Sequence, residues 1–113
     1  MKSQTKNSSR VHFANFHVAG FSFYEGVLAF DQLKIGKEVT LKPDPSNHYD
    51  KYAVEISFED HKLGFIPRGE NKQISKLLQA GVNCFETRIQ WIDAQAHPEN
   101  QVGVIVYVVG KEA

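Results

Sequence analysis

The sequence has few of the residues that build covalent or metal-held sites. Cys84 is the one cysteine among 113 residues, which excludes an intramolecular disulfide and a cysteine-based zinc site. No two histidines lie four apart as they would on a metal-binding helix, and the acidic residues are scattered. A glycine-rich loop that could cradle phosphate is also missing. We therefore predict no metal, no cofactor and no catalytic residues.

The sequence also lacks an excess of charge of either sign and any long apolar run at its start. Thirteen basic residues balance 13 acidic ones, which argues against strong attraction to long duplexes but allows a local basic patch. Residues 1–10 are polar, so we expect a disordered tail that is neither a signal peptide nor a membrane anchor. The lone cysteine fits a reducing compartment, and we expect a cytoplasmic protein without membrane contact.

What the sequence does contain is a series of short strand patterns. Segments that alternate in polarity or are rich in β-branched and aromatic residues lie at 13–19, 37–42, 53–58, 62–66, 85–91 and 103–109. The short turn at 59–61 makes a hairpin of the third and fourth segments. We expect the last segment to be buried on both sides. The predicted core includes Val54, Ile56, Phe65, Ile89 and Trp91.

A loop and a helix interrupt these strands. Residues 43–50 contain two prolines and three Asx residues, a composition that prevents regular structure. Residues 70–79 form the one clear helix, because Ile74, Leu77 and Leu78 recur at helical spacing and Gly81 follows as a stop.

The order of these elements predicts the fold class. One domain at 11–110, followed by a short tail at 111–113, holds about six strands with one α-helix inserted late. This order favours a mainly β fold, a small OB-like, partly open β-barrel. A β-sandwich and an α+β roll fit the same periodicity.

Three segments, taken in order, carry a resemblance to a known family. Gly-Phe-Ser-Phe-Tyr-Glu-Gly at 20–26 and Asp-Pro-Ser-Asn-His-Tyr-Asp-Lys-Tyr-Ala-Val at 44–54 place aromatic and polar groups together in loops. Leu-Gly-Phe-Ile-Pro-Arg at 63–68 follows, and then the helix with its Leu-Leu pair. This succession resembles the HIRAN domain, which occurs at the front of certain fork-remodelling DNA helicases and ubiquitin ligases and as standalone bacterial proteins.

The resemblance implies an OB-like barrel that binds the 3′ end of single-stranded DNA. By position, Phe23 is the aromatic residue that meets a terminal base, and Tyr24 lies in the same aromatic segment. Tyr49 and Asp50 fall where the family contacts the terminal nucleotide and its 3′-hydroxyl, and Asn47 belongs to the same loop. A role in DNA repair or replication-fork processing, beside a separate helicase or nuclease partner, follows from the same resemblance.

The basic residues complete the implied DNA site, with one departure from the family. Arg68 and Lys72 fall where cationic side chains meet backbone phosphate. The best-known eukaryotic domains carry an arginine at the position of Ser22, and a neutral serine cannot form an ion pair with phosphate. This difference puts the strength of DNA binding, and the identity of the ligand, in question.

Other interpretations of the same residues stay open. The aromatic rings are also what a hydrophobic core contains, the Asx residues also close turns, and surface lysines are usually only solvated. A module that binds a partner's peptide in the same aromatic groove is the alternative function. A metal-dependent hydrolase or nuclease is a weaker alternative, suggested only by the enzymes in which HIRAN domains occur. The ATPase activity of some HIRAN-bearing proteins belongs to their helicase domains.

Overall fold

A computed structural model describes residues 10–110. Its strands are β1 (Arg10–His17), β2 (Glu38–Pro43), β3 (Val54–Phe58), β4 (His61–Phe65), β5 (Phe85–Ile92) and β6 (Val102–Val109). The predicted tails at 1–9 and 111–113 lie outside the described residues. Arg10, which the prediction assigned to the tail, is the first residue of β1. Within the described range, no helix is long and apolar enough to cross a membrane.

The six strands form one antiparallel sheet in the order β1-β6-β5-β2-β3-β4. The edge strands β1 and β4 do not pair along their lengths. They are joined by a single bridge beyond the end of β1, where Ala19 and Phe65 exchange two backbone hydrogen bonds of 2.8 and 2.9 Å. The sheet therefore curls into a partly open barrel, and the predicted mainly β, OB-like fold is confirmed.

A glycine makes this bridge possible. Gly64 has a φ of +154°, and a Cβ atom there would lie 2.3 Å from the carbonyl oxygen of Ala19. The backbones of the two edge strands approach so closely that only a residue without a side chain fits between them.

The core confirms three of the five predicted residues. Val54, Ile56 and Ile89 are fully buried, whereas Phe65 is only partly buried beside the bridge. Trp91 is 49% exposed, so its predicted inward orientation is wrong. A β-bulge between Ile89 and Trp91 shifts the pairing with β6, which reverses the alternation of side chains after it.

Strand β6 lies between β1 and β5, but only one of its faces is fully buried. Val102, Val104 and Val106 are at most 1% exposed, while the alternate residues Ile105 and Tyr107 are partly exposed. The prediction of burial on both sides is therefore wrong for this strand, because the curled sheet encloses one face and leaves the other uncovered.

The helices differ from the prediction in two respects. The late helix α2 spans Lys72–Gln79 after a 3₁₀ turn at Arg68–Glu70, and its Leu77 is exposed although it was predicted to face inward. The second difference is a short helical segment between β1 and β2 that the sequence did not predict. It comprises a 3₁₀ turn at Phe21–Phe23, the helix α1 at Gly26–Ala29, and a 3₁₀ turn at Phe30–Gln32.

Candidate nucleic-acid interface

A groove of about 230 Å³ opens beside the bridge that joins the two edge strands. We call it the end groove. Its lining residues come from the segment after β1, the loop between β2 and β3, the end of β4 and the segment after β4: Ala19, Tyr24, Asn47, Tyr49, Asp50, Ala53, Phe65, Ile66 and Arg68. Loops from separate elements thus converge at the place where the barrel stays open.

One asparagine shapes the loop that forms the upper wall of the end groove. The Oδ1 atom of Asn47 accepts hydrogen bonds from the backbone N–H groups of Tyr49 (2.9 Å) and Asp50 (3.2 Å), and its Nδ2 atom donates to Asp44 (3.3 Å). These bonds hold a tight turn at 47–50. The side chain of Tyr49 stands outward from this turn and is 85% exposed.

The carboxylate of Asp50 lies at the base of this loop and is already partly used. Its Oδ1 accepts a hydrogen bond from the backbone N–H of Tyr52 (2.9 Å), and its Oδ2 accepts one from Nδ2 of Asn71 (2.8 Å). The side chain remains 17% exposed. Because each carboxylate oxygen has two lone pairs, both oxygens can accept a further hydrogen bond from a ligand in the groove.

Arg68 lies at the mouth of the end groove. Its Nη2 donates a hydrogen bond of 2.6 Å to the carbonyl oxygen of Tyr49, and its Nε lies 3.7 Å from the Oδ2 of Asp50. The side chain is 76% exposed, so most of its N–H donors face solvent. The guanidinium is therefore fixed in position while it keeps donors for an anionic group.

Two aromatic rings form the floor of the end groove. Tyr24 and Phe65 pack edge to face with ring centroids 5.7 Å apart. The Nζ atom of Lys62 lies 4.3 Å from the centroid of the Tyr24 ring and 4.5 Å from that of Phe65. This floor is apolar and carries positive charge at its edge.

The structure brings together five of the seven predicted site residues: Tyr24, Asn47, Tyr49, Asp50 and Arg68. Phe23 is adjacent to Tyr24 in the chain and 77% exposed, but it lies outside the lining. Lys72 also lies outside, with its Nζ 5.5 Å from the ring of Tyr52.

Sequence reasoning missed the buried Asn71. An asparagine before a helix is typical of an N-cap, but this side chain makes no cap hydrogen bond and donates to Asp50 instead. It also missed Phe65 as a groove residue, because an aromatic residue in a strand is usually part of the core. Over residues 10–110, no group of three or more histidine, cysteine or acidic side chains is arranged to hold a metal ion.

Comparison with known families gives the family of the chain. The family model of the HIRAN domain matches residues 11–109. The chain belongs to the HIRAN domain family. This is a family of DNA-binding modules, and HIRAN domains are binding domains. A comparison with curated proteins finds no match.

Two solved structures share the fold of this HIRAN domain. A protein from Lactobacillus plantarum is 22% identical, with a TM-score of 0.76 over 90% of this chain and 97% of the other. The HIRAN domain of human HLTF is 20% identical, with a TM-score of 0.69 over 93% of this chain and 83% of the other. At these identities the similarity shows a common fold.

Proposed function

We propose that this HIRAN domain binds the 3′-terminal nucleotide of single-stranded DNA in the end groove. The observation that carries the proposal is the pairing, in one groove, of the exposed ring of Tyr49 with the partly free carboxylate of Asp50. A terminal nucleotide offers the complementary groups, a flat base and a free hydroxyl.

Each part of the terminal nucleotide has a candidate partner. A base that stacks on an aromatic ring such as Tyr49 or Tyr24 gains about 1–3 kcal/mol, whatever its identity. The carboxylate of Asp50 accepts the hydrogen bond of the 3′-hydroxyl and repels a phosphate in that place. Asn47 acts indirectly, because its hydrogen bonds hold Tyr49 and Asp50 in the turn.

The positive charge that Ser22 does not provide comes, in this proposal, from Arg68. Its guanidinium faces solvent at the groove mouth, where the phosphate that precedes the terminal nucleotide would lie. Phe23 lies beside the groove with its ring exposed and stacks on the next base.

A second candidate function is the binding of a partner's peptide in the same groove. The observation that favours it is a set of exposed apolar side chains outside the groove lining, on the segment after β1, which would extend the apolar surface: Phe23, Val27 and Leu28. Such a surface also fits an apolar peptide. If the groove binds DNA ends, single-stranded DNA with a free 3′-hydroxyl should compete for it better than DNA with a blocked 3′ end. If its ligand is a peptide, the 3′ end of the DNA should make no difference.

We propose no catalytic activity for this domain. In DNA repair or replication-fork processing, the domain would bind the DNA end and a separate helicase or nuclease would act on it. We expect the purified protein to show no nuclease or ATPase activity, measured on labelled single strands and by phosphate release. Turnover that a single substitution abolishes would contradict this expectation.

The test of end recognition is a fluorescence titration with three single strands that differ only at the 3′ end. A free 3′-hydroxyl should bind best, a 3′-deoxy end should bind more weakly, and a 3′-phosphate should bind most weakly. A hydrogen bond to a charged group contributes about 1.5–3 kcal/mol, so the first step is a loss of roughly tenfold or more in affinity. Asp50→Asn should flatten this ranking.

The chain offers a matched control for that variant. Asp93 also accepts a hydrogen bond from a backbone N–H two residues on, that of Gln95 (2.9 Å), but it lies in the loop before β6. Asp93→Asn should preserve the ranking, and Phe23→Ala should weaken all three ligands alike. If the wild-type protein binds all three ends equally, the role of Asp50 as the end reader is wrong.

A further inference from the structure

Three lysines surround one tyrosine on the surface next to the end groove. The Nζ atoms of Lys51, Lys72 and Lys76 lie 5.3, 5.5 and 5.9 Å from the centroid of the Tyr52 ring. These distances are within the range of cation–π attraction. We call these four residues the lysine platform.

The backbone fixes this arrangement. Lys72 and Lys76 are four residues apart on α2 and therefore lie on the same side of the helix. Gln79 joins the helix to the turn, because its Nε2 donates to the carbonyl oxygen of Lys51 (3.3 Å) and to the Oγ of Ser75 (2.8 Å). The three lysines are thus carried by two segments that are held together.

Pairing with carboxylates does not explain the cluster. Like charges at neighbouring positions on a helix destabilise it by a few tenths of a kcal/mol. Between residues 10 and 110, none of the three lysines forms a salt bridge with an acidic residue. Three cations gathered without a carboxylate match a ligand that brings negative charge.

The lysine platform is continuous with the end groove. Asp50 and Lys51 are neighbours in the chain, as are Asn71 and Lys72, and the hydrogen bond of 2.8 Å between Asp50 and Asn71 joins the two pairs. The end groove, which Asp50 lines, and the platform therefore meet at this junction. A strand that leaves the groove past Asp50 meets the three ammonium groups next.

We propose that the lysine platform binds the phosphates of the nucleotides that precede the 3′-terminal one, so that the strand leaves the end groove over α2. This inference rests on the proposed function of the groove. The ligand is the phosphodiester backbone, contacted without regard to base sequence. Tyr52 is a positioning residue, because its ring gathers the ammonium groups that contact phosphate.

The test compares two lengths of single-stranded DNA with a free 3′-hydroxyl. A dinucleotide, followed by NMR, reports on the end groove, while an octanucleotide reaches the platform. The double variant Lys72→Gln/Lys76→Gln should lose roughly tenfold in affinity for the octanucleotide and less than twofold for the dinucleotide. Its slope of log affinity against log salt should fall by about 1.4, since each phosphate contact to a single strand contributes about 0.7.

Two matched variants sharpen the result. Lys34→Gln/Lys37→Gln removes two exposed lysines from the segment before β2, outside both surfaces. This variant should change the affinity for the octanucleotide by less than about twofold and the salt slope by less than about 0.3. Tyr52→Phe should bind the octanucleotide like the wild type, whereas Tyr52→Leu should lose roughly threefold, because only an aromatic ring attracts the ammonium groups.

The outcomes separate the two proposals. If the wild-type protein does not distinguish a free 3′-hydroxyl from a 3′-phosphate, both the end groove and the platform are wrong as proposed. If it does, and the Lys72/Lys76 variant matches the Lys34/Lys37 variant, the platform alone is wrong. An octaglutamate peptide that displaces the octanucleotide at equal concentration would also overturn the platform, by showing a surface for acidic peptides.

Discussion

The outer face of the sheet and the groove end of the barrel differ in what most of their cations contact, although Arg68 at the groove end also lies near the carboxylate of Asp50. On the outer face, Glu86 accepts hydrogen bonds from Arg88 (2.6 Å) and Arg10 (3.1 Å), and the Arg10 guanidinium lies 3.9 Å from the centroid of the Tyr107 ring. At the groove end, Lys62 and the lysine platform face aromatic rings instead of carboxylates. A cation that already contacts a carboxylate of the protein attracts an anionic ligand less strongly than a cation that does not.

On the outer face, the contacts between Glu86 and its arginines shift the pKa of two side chains. The hydrogen bond from Arg88 holds the pKa of Glu86 below its usual range, against the opposing effect of burial, and the charge of Arg10 adds to the lowering. The same hydrogen bond raises the pKa of Arg88. These charges are satisfied within the fold, which is typical of a surface that serves stability. Substitutions at the groove end should change binding, and those on the outer face should change stability alone.

The largest expected effect is at the bridge on which the end groove depends. In Gly64→Ala, the new Cβ would lie 2.3 Å from the Ala19 carbonyl oxygen and 2.7 Å from a methyl group of Val18. Overpacking and an unfavourable φ together should lower the free energy of unfolding by about 3 kcal/mol or more, measured by urea denaturation. Gly69→Ala is the matched control, because a Cβ there meets no atom within 4 Å. Equal stability of the two variants would show that the bridge does not need a glycine.

A smaller effect is expected at the junction between the end groove and α2. Asn71→Leu removes the donor to the Asp50 carboxylate at a position that is 98% buried, since Asn71 is 2% exposed. An acceptor left without its partner should lower the free energy of unfolding by about 1–3 kcal/mol. The affinity for a free 3′-hydroxyl should fall as well, because Asp50 loses its fixed position.

Asn83→Leu tests the same replacement at an exposed site before β5. It should change the free energy of unfolding by less than about 0.5 kcal/mol and leave DNA binding unchanged. If Asn71→Leu is equally mild in both measurements, Asn71 is not what holds Asp50 in the groove.

The regular part of the fold could be predicted from the sequence because its strands alternate cleanly. Val54 and Ile56 repeat every second residue, and the same period places them in the core. Trp91 breaks this rule because a one-residue bulge reverses the alternation, and no local signal in the sequence marks the bulge. Leu77 departs from the helical prediction in a similar way, because the buried side of α2 runs through Ile74 and Leu78 and leaves Leu77 at its margin.

The resemblance to the HIRAN domain, and not periodicity, predicted the groove residues, including Tyr24 and Arg68 from separate segments. Asn47 bonds within its own turn, as Asx residues in loops commonly do, so the turn interpretation of this loop also holds. The contact between Asp50 and Asn71 joins residues 21 apart in the chain. Such a pairing depends on how α2 packs against the sheet, which periodicity does not encode.

The smallest expected effect concerns the outer face, in Glu86→Gln. The Glu86 side chain is 20% exposed, but its partners Arg10 and Arg88 are 41% and 37% exposed, so solvent weakens both ion pairs. At pH 7 the variant should be less stable by about 0.5–1 kcal/mol, measured by urea denaturation.

Because the pKa of Glu86 is lower in the folded protein than in the unfolded chain, where it is about 4.3, this contribution is fully present above that value. It is lost as the pH falls through the lower, folded pKa, so the two proteins should become equally stable once the pH lies below that folded pKa. Glu99→Gln, at an exposed position in the loop before β6, should show no difference at either pH. The affinity of Glu86→Gln for single-stranded DNA should equal that of the wild type, and a loss of affinity there would show that the outer face also binds DNA.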